Sequence, residues 1–115
     1  MELDIAVIVD MSAGLIVLNQ GSNDSWQLPQ GAPLNTESLE SAALRIVASQ
    51  CQMDVELIRQ VHVYSDGPKA TLVFLARGRG QVQEGPLKLC HEMNLPSSLQ
   101  ESSKQILRDF FLGRY

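Results

Sequence analysis

The stretch Thr36–Cys51 contains the charged residues whose spacing is best suited to chemistry. Glu37 and Arg45 are eight positions apart, with Glu40 between them. Carboxylates serve proteins as ligands for hard cations such as Mg²⁺. At about two helical turns, however, the spacing favours a salt bridge between Glu37 and Arg45 that steadies a loop against a helix. Glu40 suits the positive N-terminal end of that helix.

The cysteines and histidines of the chain lack the neighbouring residues that a metal site or a catalytic site would need. Cys51 and Cys90 form no CxxC pair and no zinc-type cluster with histidine, which indicates two reduced thiols that are at least partly packed. His62 lies inside a strand pattern, where a packed or surface histidine is commoner than a ligand. His91 has only Glu92 beside it. No nucleophile-elbow, phosphate-loop or histidine–metal motif occurs in the sequence.

Composition and charge exclude several partners. The chain has 115 residues, with nine Lys and Arg against thirteen Asp and Glu, and a net charge of −4. This length predicts one domain over residues 1–115, and the scattered basic residues leave no extended nucleic-acid patch. The opening MELDIAVIVD lacks the basic start of a signal peptide, and its apolar run is too short to cross a bilayer. We therefore expect a cytoplasmic protein that makes no membrane contact.

Hydrophobic patterning predicts the strands that must position these side chains. Apolar runs bounded by turn-forming residues indicate strands, of which the first two form a hairpin and the next two are joined by the turn DGPK. The segment QGAPLN, residues 30–35, is interpreted as a loop. The predicted strands are 4–10, 15–18, 55–65, 70–77 and a short one at 87–93.

One amphipathic segment predicts a first helix over residues 36–51. Asn35 or Thr36 can cap its N-terminus, and neither Gly nor Pro interrupts it. Its apolar face, at spacings of three and four, consists of Leu39, Ala43, Ile46 and Val47.

A second helix is predicted over residues 97–111. Ser98 and Glu101 have the spacing of a capping box, and large apolar residues recur along one face. Strands, helix, strands and helix therefore follow one another, which predicts an α/β fold in which two main helices cover a mixed β-sheet.

The stretch SWQLPQG and the following ESLESAALR resemble the Nudix hydrolases, a superfamily that cleaves nucleoside diphosphates linked to other groups. Gly31, Glu37 and Arg45 match the signature G-x5-E-x7-R-E-U-x-E-E-x-G-U, where U is aliphatic, at the correct spacing. SWQLPQG is close to the SWQFPQGG of the branch that contains RNA 5′-pyrophosphohydrolases and dinucleoside tetraphosphate hydrolases. RDFF resembles part of the family's C-terminal helix. The resemblance implies a Nudix-like α/β/α sandwich.

The resemblance fails at the residues that bind metal in the family. The three glutamates that follow the arginine are replaced by Ile46, Ser49 and Gln50. These positions converge on a helix, so three carboxylates there can hold Mg²⁺, which requires hard oxygen ligands and activates water. Ile46 offers no ligand oxygen, and the other two side chains are neutral. The sequence therefore predicts a degenerate site with no metal ligands and no catalytic residues.

Two functions remain open. In the first, which we expect, the domain is inactive, uses no cofactor and binds a nucleotide, another phosphorylated small molecule or a protein partner. In the second, it is a weak or divergent Mg²⁺-dependent hydrolase of nucleoside polyphosphates or RNA 5′-pyrophosphates, with metals held by the substrate and by Glu84 or Glu92. A remnant pocket would be lined by Trp26, Gln30, Gly31, Glu37, Arg45, Ser49 and Gln50.

Three residues near this pocket have competing roles. Trp26 is expected to pack at the core or its rim, although a base-stacking platform is the alternative. Gly31 is expected to provide backbone freedom at the turn into the helix. Ile46 either fills the altered site as part of the core or marks an exposed interface, and we favour the core.

Overall fold

The predicted strands form one mixed β-sheet, with two short strands in addition. A computed structural model describes residues 2–21, 24–83 and 85–115. Apolar, β-branched runs build the long strands, because such side chains pack well on a pleated surface. The strands of the described residues are β1 (Glu2–Ser12), β2 (Leu15–Gln20), β3 (Trp26–Gln27), β4 (Gln30–Gly31), β5 (Val55–Asp66), β6 (Lys69–Gly78) and β7 (Leu87–Cys90).

β1 lies in the middle of the sheet and is paired along both edges. One edge is parallel to β6, with Ile5 opposite Leu72. The other edge is antiparallel to β4 near its start and to β2 near its end, with Ile5 opposite Gly31. β2 continues to β3 and β7, and β6 pairs with β5 as the predicted hairpin. The mixed sheet is therefore confirmed, and Gln30–Gly31, predicted as loop, is a short strand beside the core.

Two helices cover opposite faces of the sheet. Helix α1 (Leu39–Cys51) packs on one face and helix α2 (Glu101–Phe111) on the other. Successive residues of a strand point to opposite faces, so β1 contributes to both cores. The predicted α/β/α sandwich is confirmed. On β1, Ile5, Val7 and Val9 lie under α1, whereas Ala6 and Ile8 lie under α2.

Helix α1 begins three residues later than predicted. Ser38, not Asn35 or Thr36, is the N-cap, and its Oγ accepts a hydrogen bond from the backbone N–H of Ser41 at 3.1 Å. The preceding residues form a separate turn, because the Glu37 carboxylate accepts from the backbone N–H of Leu34 at 2.8 Å. The expected apolar face is correct for its last three members. Leu39 is a correction, since it lies in the first turn and is 36% exposed.

Helix α2 also begins later than predicted, and the expected capping box is absent. Trp26 pairs with residues 98–100 in an extended conformation: its N–H donates to Ser98 O at 3.0 Å, and its carbonyl accepts from Gln100 N at 2.8 Å. This tertiary pairing removes Ser98 from the helix. Gln100 occupies the N-cap position without a side-chain capping bond.

β7 confirms most of the predicted strand at 87–93. It pairs antiparallel with β2 as far as Cys90, and a 3₁₀ turn then covers Glu92–Asn94. His91 caps that turn, because its Nδ1 accepts from Met93 N at 3.2 Å and its own N–H donates to Asn94 Oδ1 at 2.6 Å. Within the described ranges, no helix has the length and apolar character needed to span a membrane.

Candidate functional site

Glu37 and Arg45 form the predicted salt bridge. Arg45 Nε donates to Glu37 Oε2 at 2.7 Å and Nη2 donates to Oε1 at 2.9 Å, which is a bidentate pair. Arg45 Nη2 also reaches the carbonyl of Ala32 at 3.0 Å. The hydrogen bonds from Arg45 and from the backbone of Leu34 lower the pKa of the Glu37 carboxyl. The pair therefore holds the loop at 32–37 against α1.

Ile46, on the buried side of α1, is part of the core between this helix and the sheet. Its side chain is 1% exposed, so the favoured packed position is correct and the exposed interface is wrong. A Cβ placed on Gly31 would lie 3.5 Å from Ile46 Cδ1 and Cγ1, which is ordinary van der Waals contact. Gly31 has no positive φ and lies in β4, so the backbone freedom expected of it is not used. The side chain of Ile46 lies over this glycine and leaves room for a methyl group between them.

The amide of Gln50 binds the backbone of Gln30 at both of its polar groups. Gln50 Nε2 donates to Gln30 O at 2.7 Å, and Gln30 N donates to Gln50 Oε1 at 3.1 Å. Asn19 Nδ2 donates to the same Oε1 at 3.0 Å. Asn19 is only 7% exposed, and within the described part of the chain its Oδ1 has no hydrogen-bond partner. A neutral amide network therefore occupies the end of α1.

These residues do not fit a divalent cation. Ile46 has no ligand atom, and Gln50 Oε1 already accepts two hydrogen bonds. The Gln50 NH₂ group lies against Gln30 O, so a cation there would meet a donor instead of an oxygen. Ser49 is exposed, and its carbonyl accepts from Gln52 Nε2 at 2.9 Å. Over residues 2–21, 24–83 and 85–115, no three His, Cys, Asp or Glu side chains cluster as metal ligands.

The structure does not bring the other candidate metal ligands that it describes close to Ile46, Ser49 and Gln50. Glu92 is exposed on the 3₁₀ turn and lines a groove with α2, on the face of the sheet opposite to α1. Glu84 lies outside the described residues. Glu40 is exposed in the first turn of α1.

Trp26 also lies on the α2 side of the sheet, apart from Ile46. Its ring is partly buried and packs against the α2-side core. Lys88 Nζ lies over the ring, 5.5 Å from its centroid, in a cation–π contact. The position of Trp26 agrees with the expectation that its side chain packs at the rim of the core. The structure therefore divides the seven predicted pocket residues between two faces of the sheet.

The two cysteines and His62 lie in surroundings that give them a structural role. Cys51 lies in the α1-side core and Cys90 in the α2-side core, both as free thiols. Burial raises the pKa of each thiol to about 11, which keeps it protonated and weakly nucleophilic. His62 is exposed on β5, and its ring lies 4.6 Å from that of Tyr64.

A polar cleft between the sheet and the start of α2 was not predicted from the sequence. Gln30 is its link to α1, because its side-chain Nε2 donates to Gln100 Oε1 at 3.1 Å while its backbone binds Gln50. The cleft has a volume of about 200 Å³. Its members are far apart in the sequence and form no motif, so no local signal reveals them. They are Asp4, Gln30, Tyr64, Asp66, Lys69, Thr71, Gln100, Ser102, Gln105 and Ile106.

Hydrogen bonds hold one wall of this cleft in place. Tyr64 Oη donates to Asp109 Oδ2 at 2.6 Å, and Tyr115 Oη donates to the carbonyl of Ile106 at 2.9 Å. Burial, followed by the hydrogen bond to Asp109, raises the pKa of Tyr64. Lys69 Nζ is 3.1 Å from Asp4 Oδ2, and both side chains are substantially exposed.

The sandwich of α1, mixed sheet and α2 defines an α/β/α protein whose loop-to-helix segment lies beside the central strand. No protein-family model and no curated protein sequence matches the chain. Solved structures do match it. A Nudix hydrolase from Nitrosomonas europaea superposes with a TM-score of 0.85 at 18% identity, over 98% of this chain and 71% of the other.

Two further solved structures superpose on the chain with the same fold. An ADP-ribose pyrophosphatase from Streptococcus suis has a TM-score of 0.78 at 18% identity, over 99% of this chain and 92% of its own. A Nudix-family hydrolase from Clostridium perfringens has a TM-score of 0.77 at 12% identity, over 94% of both chains. The chain therefore has the Nudix hydrolase fold.

Proposed function

We propose that this chain is a Nudix-fold binding domain that has lost the metal-dependent hydrolase activity of its structural relatives. One observation carries the proposal: the Gln50 amide occupies both the N–H and the carbonyl of Gln30. A metal-binding carboxylate at this position would need its oxygens free for the cation. Here the position serves as a hydrogen-bonded link between helix and strand.

The charge balance around α1 supports the same conclusion. Three carboxylates would attract a divalent cation, whereas Ile46, Ser49 and Gln50 contribute no charge. Glu37 is neutralised by Arg45 at 2.7 Å, and that pairing also commits the arginine. Neither a divalent cation nor a phosphate group therefore meets an uncompensated opposite charge in this pair.

The cleft beside α2 is the ligand site in this proposal. Three glutamine side chains line it, of which Gln30 and Gln100 already hydrogen-bond to each other. The amide of the third, Gln105, can both donate to and accept from a ligand. Its volume of about 200 Å³ suits a nucleobase or a sugar better than a whole dinucleotide. Two acids, Asp4 and Asp66, stand against one cation, Lys69, which disfavours bare phosphate. We therefore assign to it the nucleoside part of a nucleotide, as in a domain derived from the RNA pyrophosphohydrolase branch that the SWQLPQG motif resembles.

A thermal-shift experiment tests this function. Adenosine, guanosine, ADP and diadenosine tetraphosphate are added with Mg²⁺, with Mn²⁺ or with EDTA, and phosphate release is followed in parallel. We expect a nucleoside to raise the midpoint as much as its diphosphate does, without metal and without hydrolysis. A large Mg²⁺-dependent stabilisation, or turnover of any of these compounds, would contradict the proposal.

Two variants locate the binding. Gln105→Ala removes one amide from the cleft and should abolish the midpoint shift. Gln60→Ala removes an exposed glutamine of β5 that does not line the cleft, and should leave the shift unchanged. The proposal also includes a cytoplasmic location, supported by two buried cysteines that form no disulfide.

A further inference from the structure

A shallow apolar groove lies between the 3₁₀ turn and the outer side of α2, apart from the polar cleft. Its volume is about 390 Å³. Leu95, Phe111 and Leu112 provide its apolar surface, and Leu112 is 57% exposed. Met93, on the same turn as Glu92, is 85% exposed. A contiguous apolar surface with a polar rim is typical of an interaction site, and Leu95, Phe111 and Leu112 form such a surface here.

Two cations border this groove. Lys104 and Arg108 are four residues apart on α2, so they lie on the same side of the helix and repel each other. Neither takes part in an ion pair among the residues that the structure describes. Arg108 lies in the last turn, where the helix dipole favours a cation, but Lys104 is a turn earlier. The groove therefore carries two cations against one acid, Glu92, and has a net positive charge in a chain whose own net charge is −4.

We infer that the groove binds an acidic amphipathic helix of a partner protein. Apolar side chains of such a helix would cover Phe111 and Leu112, while carboxylates on its flank would pair with Lys104 and Arg108. The two cations are separated by about 6 Å along the axis of α2, which matches carboxylates one turn apart on a partner helix. This surface is independent of the proposed ligand cleft.

The probe is a synthetic peptide of about 14 residues with leucines at helical spacing and glutamates flanking them. It is titrated into the ¹⁵N-labelled protein, and amide chemical shifts are followed. We expect shifts at Leu95 and along the outer side of α2, and weaker binding at high salt. The double variant Lys104→Glu and Arg108→Glu should weaken binding about tenfold. Arg59→Glu, which reverses an exposed cation on β5, is the matched control and should change nothing.

Other occupants are separate outcomes of the same experiment. Equal binding of a peptide with lysines in place of the glutamates, or with serines in place of the leucines, would overturn the inference. So would the absence of any shift at millimolar peptide. Concentration-dependent shifts of the same amides without peptide would assign the groove to a second copy of this chain, and equal shifts with decanoate would assign it to a small amphiphile. Amides of Tyr64 and Lys69 report on the cleft in the same spectra, so its ligand binding is judged independently.

Discussion

The side-chain amide of Gln50 pairs with the backbone of Gln30 as a neighbouring strand would. Its Nε2 donates to the carbonyl at 2.7 Å, and its Oε1 accepts from the N–H at 3.1 Å. The contact joins the last turn of α1 to β4, which itself is paired with β1. Because the amide uses its donor and its acceptor together, the link depends on glutamine and not on a carboxylate.

Removal of this amide should destabilise the protein. In Gln50→Ala, Gln30 N and Asn19 Nδ2 lose their acceptor in a partly buried place, and we expect a loss of about 1–3 kcal/mol in the free energy of unfolding. Urea unfolding measures this loss. Ser49→Ala changes an exposed neighbour on the same helix and should stay within about 0.5 kcal/mol of the wild type. Equal stability of both variants would show that the amide link contributes nothing.

Restoring the carboxylates should restore metal binding at a cost in stability. The triple change Ile46→Glu, Ser49→Glu and Gln50→Glu supplies the ligand types of the family at their helical spacing. Because Ile46 is 1% exposed, its replacement should destabilise the metal-free protein by several kcal/mol. Mn²⁺ should recover part of that loss, and calorimetry should detect its binding.

The single change Ser49→Glu is the control for that experiment. It adds a charge at an exposed position, so it should bind no metal and keep its stability. A folded triple variant that binds neither Mg²⁺ nor Mn²⁺ would show that something other than these three residues prevents metal binding.

The salt bridge between Glu37 and Arg45 should make stability depend on acid pH. The Arg45 hydrogen bond lowers the Glu37 pKa from its ordinary 4.5 in the folded protein. The stabilisation that the salt bridge gives the folded protein is therefore fully present above pH 4.5. It is lost as the pH falls through the lower, folded-state pKa of Glu37. Relative to Glu37→Gln, the wild type should have its largest advantage above pH 4.5 and lose it in more acidic solution.

Urea midpoints measured across this range test the dependence. Glu40→Gln is the control, because Glu40 is an exposed acid of the same helix that forms no salt bridge with any residue the structure describes. A wild-type advantage over Glu37→Gln that stays constant as the pH falls would be inconsistent with the pairing.

The two tyrosines of the chain should resist ionisation in the folded protein. Burial and the Asp109 hydrogen bond raise the pKa of Tyr64 above 10.0, and burial raises that of Tyr115. The folded protein should therefore show little phenolate absorbance at pH 10, where the urea-unfolded protein is half ionised. The contribution of the two phenols to the free energy of unfolding is therefore fully present below pH 10. It should fall above pH 10, since the unfolded chain loses its phenolic protons first.

Tyr64→Phe leaves Tyr115 as the single phenol and separates the two contributions. It should also cost about 1 kcal/mol of stability, through the lost bond to Asp109. A folded-state titration that coincides with the unfolded one would contradict the burial of both phenols.

Much of the fold could be predicted from the sequence because its signals are local. β1 is predicted by a continuous apolar run, and the turn between β5 and β6 is predicted by its turn-forming residues. The pairing of Glu37 with Arg45 was predictable for the same reason, since loop and helix are adjacent in the chain. The start of α2 was not, because the pairing of Trp26 with residues 98–100 overrides a capping signal that is otherwise sound.

The sequence by itself determined which ligand types are absent at positions 46, 49 and 50 and which helix bears them. Only the tertiary structure decided what replaced them. Ile46 is buried in the core between α1 and the sheet, and Gln50 hydrogen-bonds to Asn19 of β2 and Gln30 of β4 at the end of α1. The cleft has the same origin, since residues from positions 4 to 106 meet through the pairing of β1 with β4 and β6, the pairing of β5 with β6 and the packing of α2. Contacts of such sequence separation leave no periodicity, so no local pattern could predict them.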